Sequence, residues 1–379
     1  MMKNFFKRVY ATMIKIILLP CRLFPIKTRR IAFVGLTGGQ AYEYCDNLKY
    51  LCEYLQKQEG EDFEFIWLVS QPEKYADKAT ANLHFYKHYS FSAFVKLLTS
   101  KVVITSGSYV PWFAFRKSQY VIDTWHGGGA YKKIANESRP QFLANNIDLF
   151  LSSCQKATEH LIRGAFMYQG EVVDSGLPRN DFLVNGKTDE AIAKVRKHFG
   201  FGENEKVLLY APTYRNNTDE VILDSDDLQR QLEQNGENWH ILTHTHRYED
   251  EQSNIVIKGS AAIDAGDYPD VQELLCATDL LVTDYSSIIW DYSLLMRPCC
   301  LYAPDVEEYL ATTGFYVDIH KWPFPLLSSW EDLTAFVINY NLPVIQENIR
   351  AHHEFMGSFE KGHACMDVTK RILDVCKQT

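Results

Sequence analysis

The 379-residue chain has no C-x-x-C pair. Its nine cysteines are odd in number and scattered, and only Cys299 and Cys300 are neighbours, inside an apolar run. This spacing argues against a disulfide framework and a zinc site and fits a reducing compartment. A membrane-spanning run is missing from the N-terminus, because the apolar stretch there is interrupted by Lys15 and ended by Pro20. The same stretch lacks the unbroken core and small-residue cleavage site of a signal peptide. No Walker spacing, low-complexity segment or residue-level repeat occurs. Acidic residues are absent from positions 1–42, which hold eight Lys or Arg, whereas the other 337 residues carry 31 basic against 48 acidic side chains, a balance of −17. A basic head on an acidic body lacks the broad basic working face that nucleic-acid binding requires.

In the head, "MMKNFFKRVYATMIKIILLP", Phe5, Phe6, Val9, Met13, Ile16 and Ile17 recur at helical spacing, with Lys3, Lys7, Arg8 and Lys15 on the other side. Residues 1–28 are therefore read as an amphipathic segment lying in the cytoplasmic membrane interface, each basic residue contributing ~1 kcal/mol near anionic lipid. The alternative is an ordinary amphipathic helix packed on the protein.

From residue 30 onward, short apolar runs alternate with helical patterns. Expected strands are 30–36, 63–70, 101–108, 120–127, 149–154 and 171–178. After a polar helix near 187–199 come 206–215, 240–247, 255–259, 279–287 and 299–304. Near-continuous apolar strands separated by helices imply parallel sheets covered on both faces. The fold class is α/β, with two doubly wound domains meeting near 183–205. Ligands of such sheets bind beyond the carboxyl ends of the strands, which is where the polar motifs fall.

In "DTWHGGGAYKK" (123–133), glycines permit close backbone approach to a phosphate, His126 can take a proton near neutral pH, and Lys132 and Lys133 can offset phosphate charge. A tight turn around a buried, hydrogen-bonded His126 is the plainer reading. In "VTDYSSIIWDY", Ser286 and Ser287 stand at the expected start of a helix, where hydroxyls and free N–H groups either bind an anion or simply cap the helix. Asp291 either holds a ligand hydroxyl or lies on a solvated helix face. "THTHR" supplies His244 and His246; metal binding is conceivable, but no acidic or cysteine partner lies nearby, and a phosphate-facing His246 is the better fit. "APTYR" adds Thr213 and Arg215, the latter a fork of donors suited to phosphate or to a surface salt bridge. "SGLPRND" adds Arg179 and Asn180 in a turn.

Together these segments resemble the CDP-glycerol glycerophosphotransferase family. The matching order is T-W-H-G (Thr124–Gly127), G-x-P-R-N-D (Gly176–Asp181), Y-A-P-T-x-R (Tyr210–Arg215), His244–His246, "LLCATDLLVTDYSSIIWDYSLLMRP" (Leu274–Pro298), "GFYVD" (Gly314–Asp318) and "FEKGHA" (Phe359–Ala364). The resemblance spans roughly 30–375. It implies a GT-B architecture: two Rossmann-like domains (29–185 on the acceptor side, 186–355 on the CDP-donor side), an interdomain cleft, and a C-terminal helix (356–379) crossing back.

It further implies catalytic roles for His126, as base, and for His246, with Gly127, Lys132, Arg179, Asn180, Thr213, Arg215, Asp284, Ser286, Ser287 and Asp291 binding substrate, and neither metal nor cofactor. The implied reaction moves an alditol phosphate from CDP-glycerol or another CDP-alditol to a hydroxyl of a lipid-linked or polymer acceptor, releasing CMP. The implied place is peripheral, on the cytoplasmic face of the cell membrane. A GT-B glycosyltransferase using a CMP- or UDP-sugar, and a non-catalytic nucleotide-binding scaffold, are the competing readings.

Deleting residues 1–28 should lower binding to anionic vesicles in a flotation assay. Unchanged binding would restore the helix packed on the protein.

Overall fold

The computed structural model describes residues 13, 16, 19–35, 42–60, 62–107, 115–134, 146–186, 188–213, 220–245 and 254–377. The expected N-terminal amphipathic helix lies outside them, Met13 and Ile16 apart, and both of those side chains are exposed. No helix among the described residues is long and apolar enough to cross a membrane.

The first lobe is built on a seven-stranded parallel sheet of β1 (Lys27–Val34), β2 (Glu64–Val69), β3 (Leu83–Lys87), β4 (Ser100–Thr105), β5 (Tyr120–Asp123), β6 (Leu149–Leu151) and β7 (Glu171–Val173). Its order is β3-β2-β1-β4-β5-β6-β7, so the chain reverses direction across the sheet between β1 and β4. Strand periodicity sends alternate side chains of β1 to opposite faces. Ile31 and Phe33 pack toward the Asp46–Glu59 helix, and Ala32 and Val34 toward the Phe91–Leu98 helix.

The second lobe contains β8 (Lys206–Ala211), β9 (Val221–Asp224), β10 (Trp239–Thr243), β11 (Ile255–Lys258), β12 (Ala262–Asp264), β13 (Leu280–Thr283), β14 (Cys299–Tyr302) and β15 (Leu326–Leu327). Six of them form a parallel sheet in the order β12-β10-β8-β13-β14-β15, reversing between β8 and β13, while β9 and β11 pair separately. The run 255–259 therefore serves a side ribbon rather than the main sheet. The unexpected strands β3, β9, β12 and β15 are short, and all four lie at a sheet edge, where half-exposure replaces the continuous apolar signal.

The lobes are not separate bodies. A single apolar cluster joins Ala130, Tyr131, Cys154 and Leu183 to Leu281, Tyr285, Trp290 and Met356. The Ala364–Lys377 helix crosses to the first lobe, where Cys365, Val368 and Ile372 pack with Leu48, Leu51 and Leu55 of the Asp46–Glu59 helix. All nine cysteines are free.

Within the shared core, Tyr131 from the first lobe shares a 2.9 Å hydrogen bond with His352 of the Leu342–Met356 helix. The adjacent His353 bonds Ser293 at 2.7 Å. Burial pulls His352 down to about 3, with His353 adding to the effect, and pulls His353 down to about 4. Both imidazoles are therefore neutral in the native chain. In the unfolded chain they protonate near 6.5, so their stabilising contribution is complete above that value and is lost as pH falls toward 4. The melting temperature should drop as pH is lowered through this window, and His353→Leu should flatten the drop. An identical pH slope in the variant would contradict a buried neutral imidazole.

Candidate functional site

Both sheet reversals open toward one cleft. Its first-lobe wall is Cys45, Asp46 and His126, with Arg179 from the segment that crosses between lobes; the second-lobe wall includes Ala211, Pro212, His244, Asp270, Gln272, Ser286, Ser287 and Asp291. His126 and the serine pair thus line the same space from opposite sides. The walls come close at Gly127, where an added Cβ would sit 3.6 Å from Ser287 Oγ.

The His126 loop is held at each step. Asp123 Oδ1 accepts from Trp125 N–H at 2.7 Å, and Asn47 Nδ2, fully buried, donates to Trp125 O at 2.9 Å. Ser153 Oγ accepts from Gly129 N–H at 3.1 Å. These bonds keep Trp125 at φ +53°, a left-handed conformation that costs a non-glycine residue on the order of 1 kcal/mol or more. The turn aims His126 into the cleft. Its Nδ1 lies 3.3 Å from the Ser106 carbonyl, which can only accept, so Nδ1 carries the proton and the lone pair of a neutral ring resides on Nε2. Gly107, at φ +96°, makes room, because a Cβ there would meet the Trp125 ring at 2.4 Å.

The triple glycine has a packing reason. A Cβ on Gly128 would lie 2.1 Å from Trp290 Cδ1, so the indole rests directly on the loop backbone. Beyond it, Lys132 forms an antiparallel bridge with Phe315, and Tyr131 O accepts from Tyr316 N–H. The loop is thereby stitched to the second lobe. Lys132 is not among the described residues lining the cleft.

On the opposite wall the short Ile288–Ser293 helix starts later than its sequence suggests, with Ser287 as its first flanking residue. The Ser287 side chain makes no capping bond there, and its hydroxyl faces the cleft wall instead. Ser286 Oγ accepts from Ile288 N–H at 3.4 Å. Asp284 is fully buried behind the cleft; its oxygens accept from Thr213 N–H at 2.8 and 2.9 Å and from Tyr285 N–H. It fixes the backbone just beyond β8 and does not line the cleft, and Thr213 is likewise absent from the lining. Arg215 and His246 lie outside the described residues. His244 lines the cleft. Burial lowers its pKa against the opposing 3.3 Å contact with the Ala265 carbonyl.

Arg179 is deeply buried and fully engaged. Nε and Nη2 donate to the two Asp291 oxygens at 2.7 and 3.2 Å, and Nη1 donates to Asp46 Oδ1 at 2.5 Å and to the His126 carbonyl at 2.6 Å. Burial opposes the guanidinium charge, but Asp291 and Asp46 outweigh it and raise the pKa. Asp291 also accepts from Asn180 Nδ2 at 3.1 Å and Gln272 Nε2 at 3.2 Å, so its expected contact with a ligand hydroxyl competes with three protein donors. Asn180 spans from Asp291 to Glu360, 2.9 Å away.

Glu360 is a carboxyl with no cation among its described partners: Trp290 Nε1 and the Leu177 N–H each donate to it at 3.0 Å. Burial pushes it up to about 7 against these bonds, and nearby Asp291 adds to the rise.

Cys45, Asp46, Asp270 and Gln272, and Asn47 behind them, carry no motif that marks them in the sequence; Glu360 lies in the "FEKGHA" element, but nothing there assigned it a role. Asp270 resembles any helix cap, accepting from the Gln272 and Glu273 amides while also binding Lys49 and Tyr50 of the first lobe. Among the described residues no group of three metal-ligating side chains occurs. The Asp224-x-Asp226 pair that ends β9 is occupied by the amides of Asp227, Ser260 and Ala261.

Two parallel sheets opening onto one cleft, with an imidazole and paired hydroxyls on facing walls, define a group-transfer enzyme of the two-lobed Rossmann type. Residues 21–374 match the family described as CDP-Glycerol:Poly(glycerophosphate) glycerophosphotransferase, and the chain belongs to that family. It is 28% identical over 393 residues to a teichoic acid poly(glycerol phosphate) polymerase of Bacillus spizizenii, covering 97% of this chain and 96% of that one. A teichoic acid glycerol-phosphate transferase of Staphylococcus aureus is 27% identical over 335 residues, 81% of this chain and 82% of the relative. Against the poly(glycerol phosphate) polymerase of Staphylococcus epidermidis, 29% identical over 380 residues, the match covers 89% of this chain but only 50% of the longer relative. A solved structure of the wall teichoic acid polymerase TagF superposes with a TM-score of 0.80 at 25% identity over 98% of both chains.

Gly128→Val should lower the melting temperature, at a cost of about 1–3 kcal/mol for overpacking, and should reduce turnover. Pairing it with Trp290→Leu should recover part of both. If Gly128→Val leaves both unchanged, the loop does not rest on the indole.

Proposed function

We propose that the protein transfers glycerol phosphate from CDP-glycerol to a hydroxyl of a membrane- or lipid-linked polyol phosphate acceptor, in the synthesis of a teichoic-acid-type polymer. Family membership supports the donor class, as does the similarity to TagF, which has also been solved after soaking with CDPG. The observation that carries the reading is the convergence of His126 with Ser286 and Ser287 on one cleft.

In the reaction the acceptor oxygen attacks the β-phosphorus. The new P–O bond forms as the bond to the bridging oxygen breaks, and CMP leaves with that oxygen. His126 Nε2 takes the acceptor proton while Nδ1–H stays on the Ser106 carbonyl, which fixes the ring's tautomer and direction. Ser286 and Ser287 donate to the diphosphate, and Gly127 lets it approach the loop backbone. Arg215 and His246 complete the charge stabilisation on which phosphoryl transfer mostly depends. Asp284 acts through the Thr213 and Tyr285 amides that it holds behind the cleft. The reaction runs without a metal or cofactor, and the basic amphipathic head keeps the enzyme peripheral on the cytoplasmic membrane face, where a lipid-linked acceptor is within reach.

His126→Ala should cut CMP release from CDP-glycerol by ~10²–10⁴-fold without changing the melting temperature. A rate within about tenfold of wild type would remove His126 from the role. Product analysis that finds a glycosidic bond instead of a phosphodiester would replace the reaction itself.

A further inference from the structure

Arg179 belongs to the expected substrate-binding set, yet its described contacts run to protein, and their pattern is informative. One nitrogen holds the main-chain carbonyl of His126. The other two grip Asp291, which sits four residues beyond Ser287 on the short helix that the serine pair precedes. A single planar group therefore connects the proton-accepting residue of one lobe with the hydroxyl-bearing helix of the other. The remaining bond, to Asp46, reaches a residue held at φ +58° beside the cleft. Asn47, next in the chain, accepts from Arg179 N–H at 3.2 Å and donates to the Trp125 carbonyl. Arg179 and its partner Asn47 thus hold the main-chain carbonyls of both His126 and Trp125.

We infer that Arg179 is a positioning residue: it sets the separation between His126 and the Ser286–Ser287 pair by clamping the His126 carbonyl to Asp291. This rests on the proposed role of His126 as base. A guanidinium suits the task because its fork fixes direction as well as distance, whereas an ammonium on a flexible stem supplies charge without a plane. Lys at this position retains the charge and loses the fork. Misplacement of a catalytic group by about 1 Å costs roughly 10²-fold in rate.

The test is a double-mutant cycle on the full chain, with radiolabelled CDP-glycerol and an oligo(glycerol phosphate) acceptor. Arg179→Lys should lower kcat by roughly 10²-fold and leave donor affinity within about threefold. In the His126→Ala background it should lower the residual rate no further, because its effect passes through the missing imidazole. An unchanged kcat in Arg179→Lys overturns the proposal. So does a rise in donor dissociation constant that accounts for the whole loss, which returns Arg179 to direct donor binding. Equal losses in both backgrounds also overturn it, as the mark of a merely structural role. If Arg179→Lys does not fold, Asp291→Asn, which removes one of the two oxygens that Nε and Nη2 grip, is read by the same criteria. A fully active His126→Ala sinks the base assignment and this proposal with it, whereas an inactive His126→Ala beside an unaffected Arg179→Lys sinks this proposal alone.

Discussion

A buried charge must be matched on the spot, because leaving it unpaired in a low-dielectric interior costs several kcal/mol. Arg179 meets that requirement with two carboxylates and a carbonyl drawn from three separate stretches of chain. No lobe satisfies the guanidinium alone. Asp46, which opens a first-lobe helix, and His126 belong to the first lobe and Asp291 to the second, so the full set of bonds exists only when the lobes stand in the observed relation. Replacing such a group by apolar residues can preserve bulk stability, but it does not preserve that relation.

The same constraint explains why local rules are broken around the cleft. Trp125 and Asp46 adopt left-handed backbones that a free peptide would abandon. Each is pinned by hydrogen bonds to atoms of the network, and the Gly127–Gly129 run removes the side chains that would keep Trp290 and Ser287 away. Backbone strain, absent Cβ atoms and buried ion pairs are thus three expressions of one requirement: two lips of a cleft built on different sheets must approach closely.

How much of this was legible in the sequence depended on the physical signal. Strands buried on both faces, such as "RIAFV" and "KVLLYA", announced themselves by continuous apolar runs. Two-residue β15 and half-exposed β3 and β12 gave no such run. Among site residues, His126 and Ser286–Ser287 were readable because hydroxyl and imidazole groups at strand ends are chemically distinctive. Arg179, Asn180 and Asp291 were noticed, but what they touch was not readable, since an arginine in a turn and an aspartate on a helix carry no mark of their partners. Asn47 and Asp270 were missed for the same reason, and Glu360, inside the quoted "FEKGHA" element, was given no role: a buried carboxyl or amide looks like a surface one until the fold surrounds it.

Glu360 has a consequence in time as well as in space. It joins Trp290, Asn180 and the Leu177 amide from a segment that follows both sheets in the chain. A nascent polypeptide leaving the ribosome therefore completes every described strand before the carboxylate that holds Trp290 beneath the glycine loop emerges.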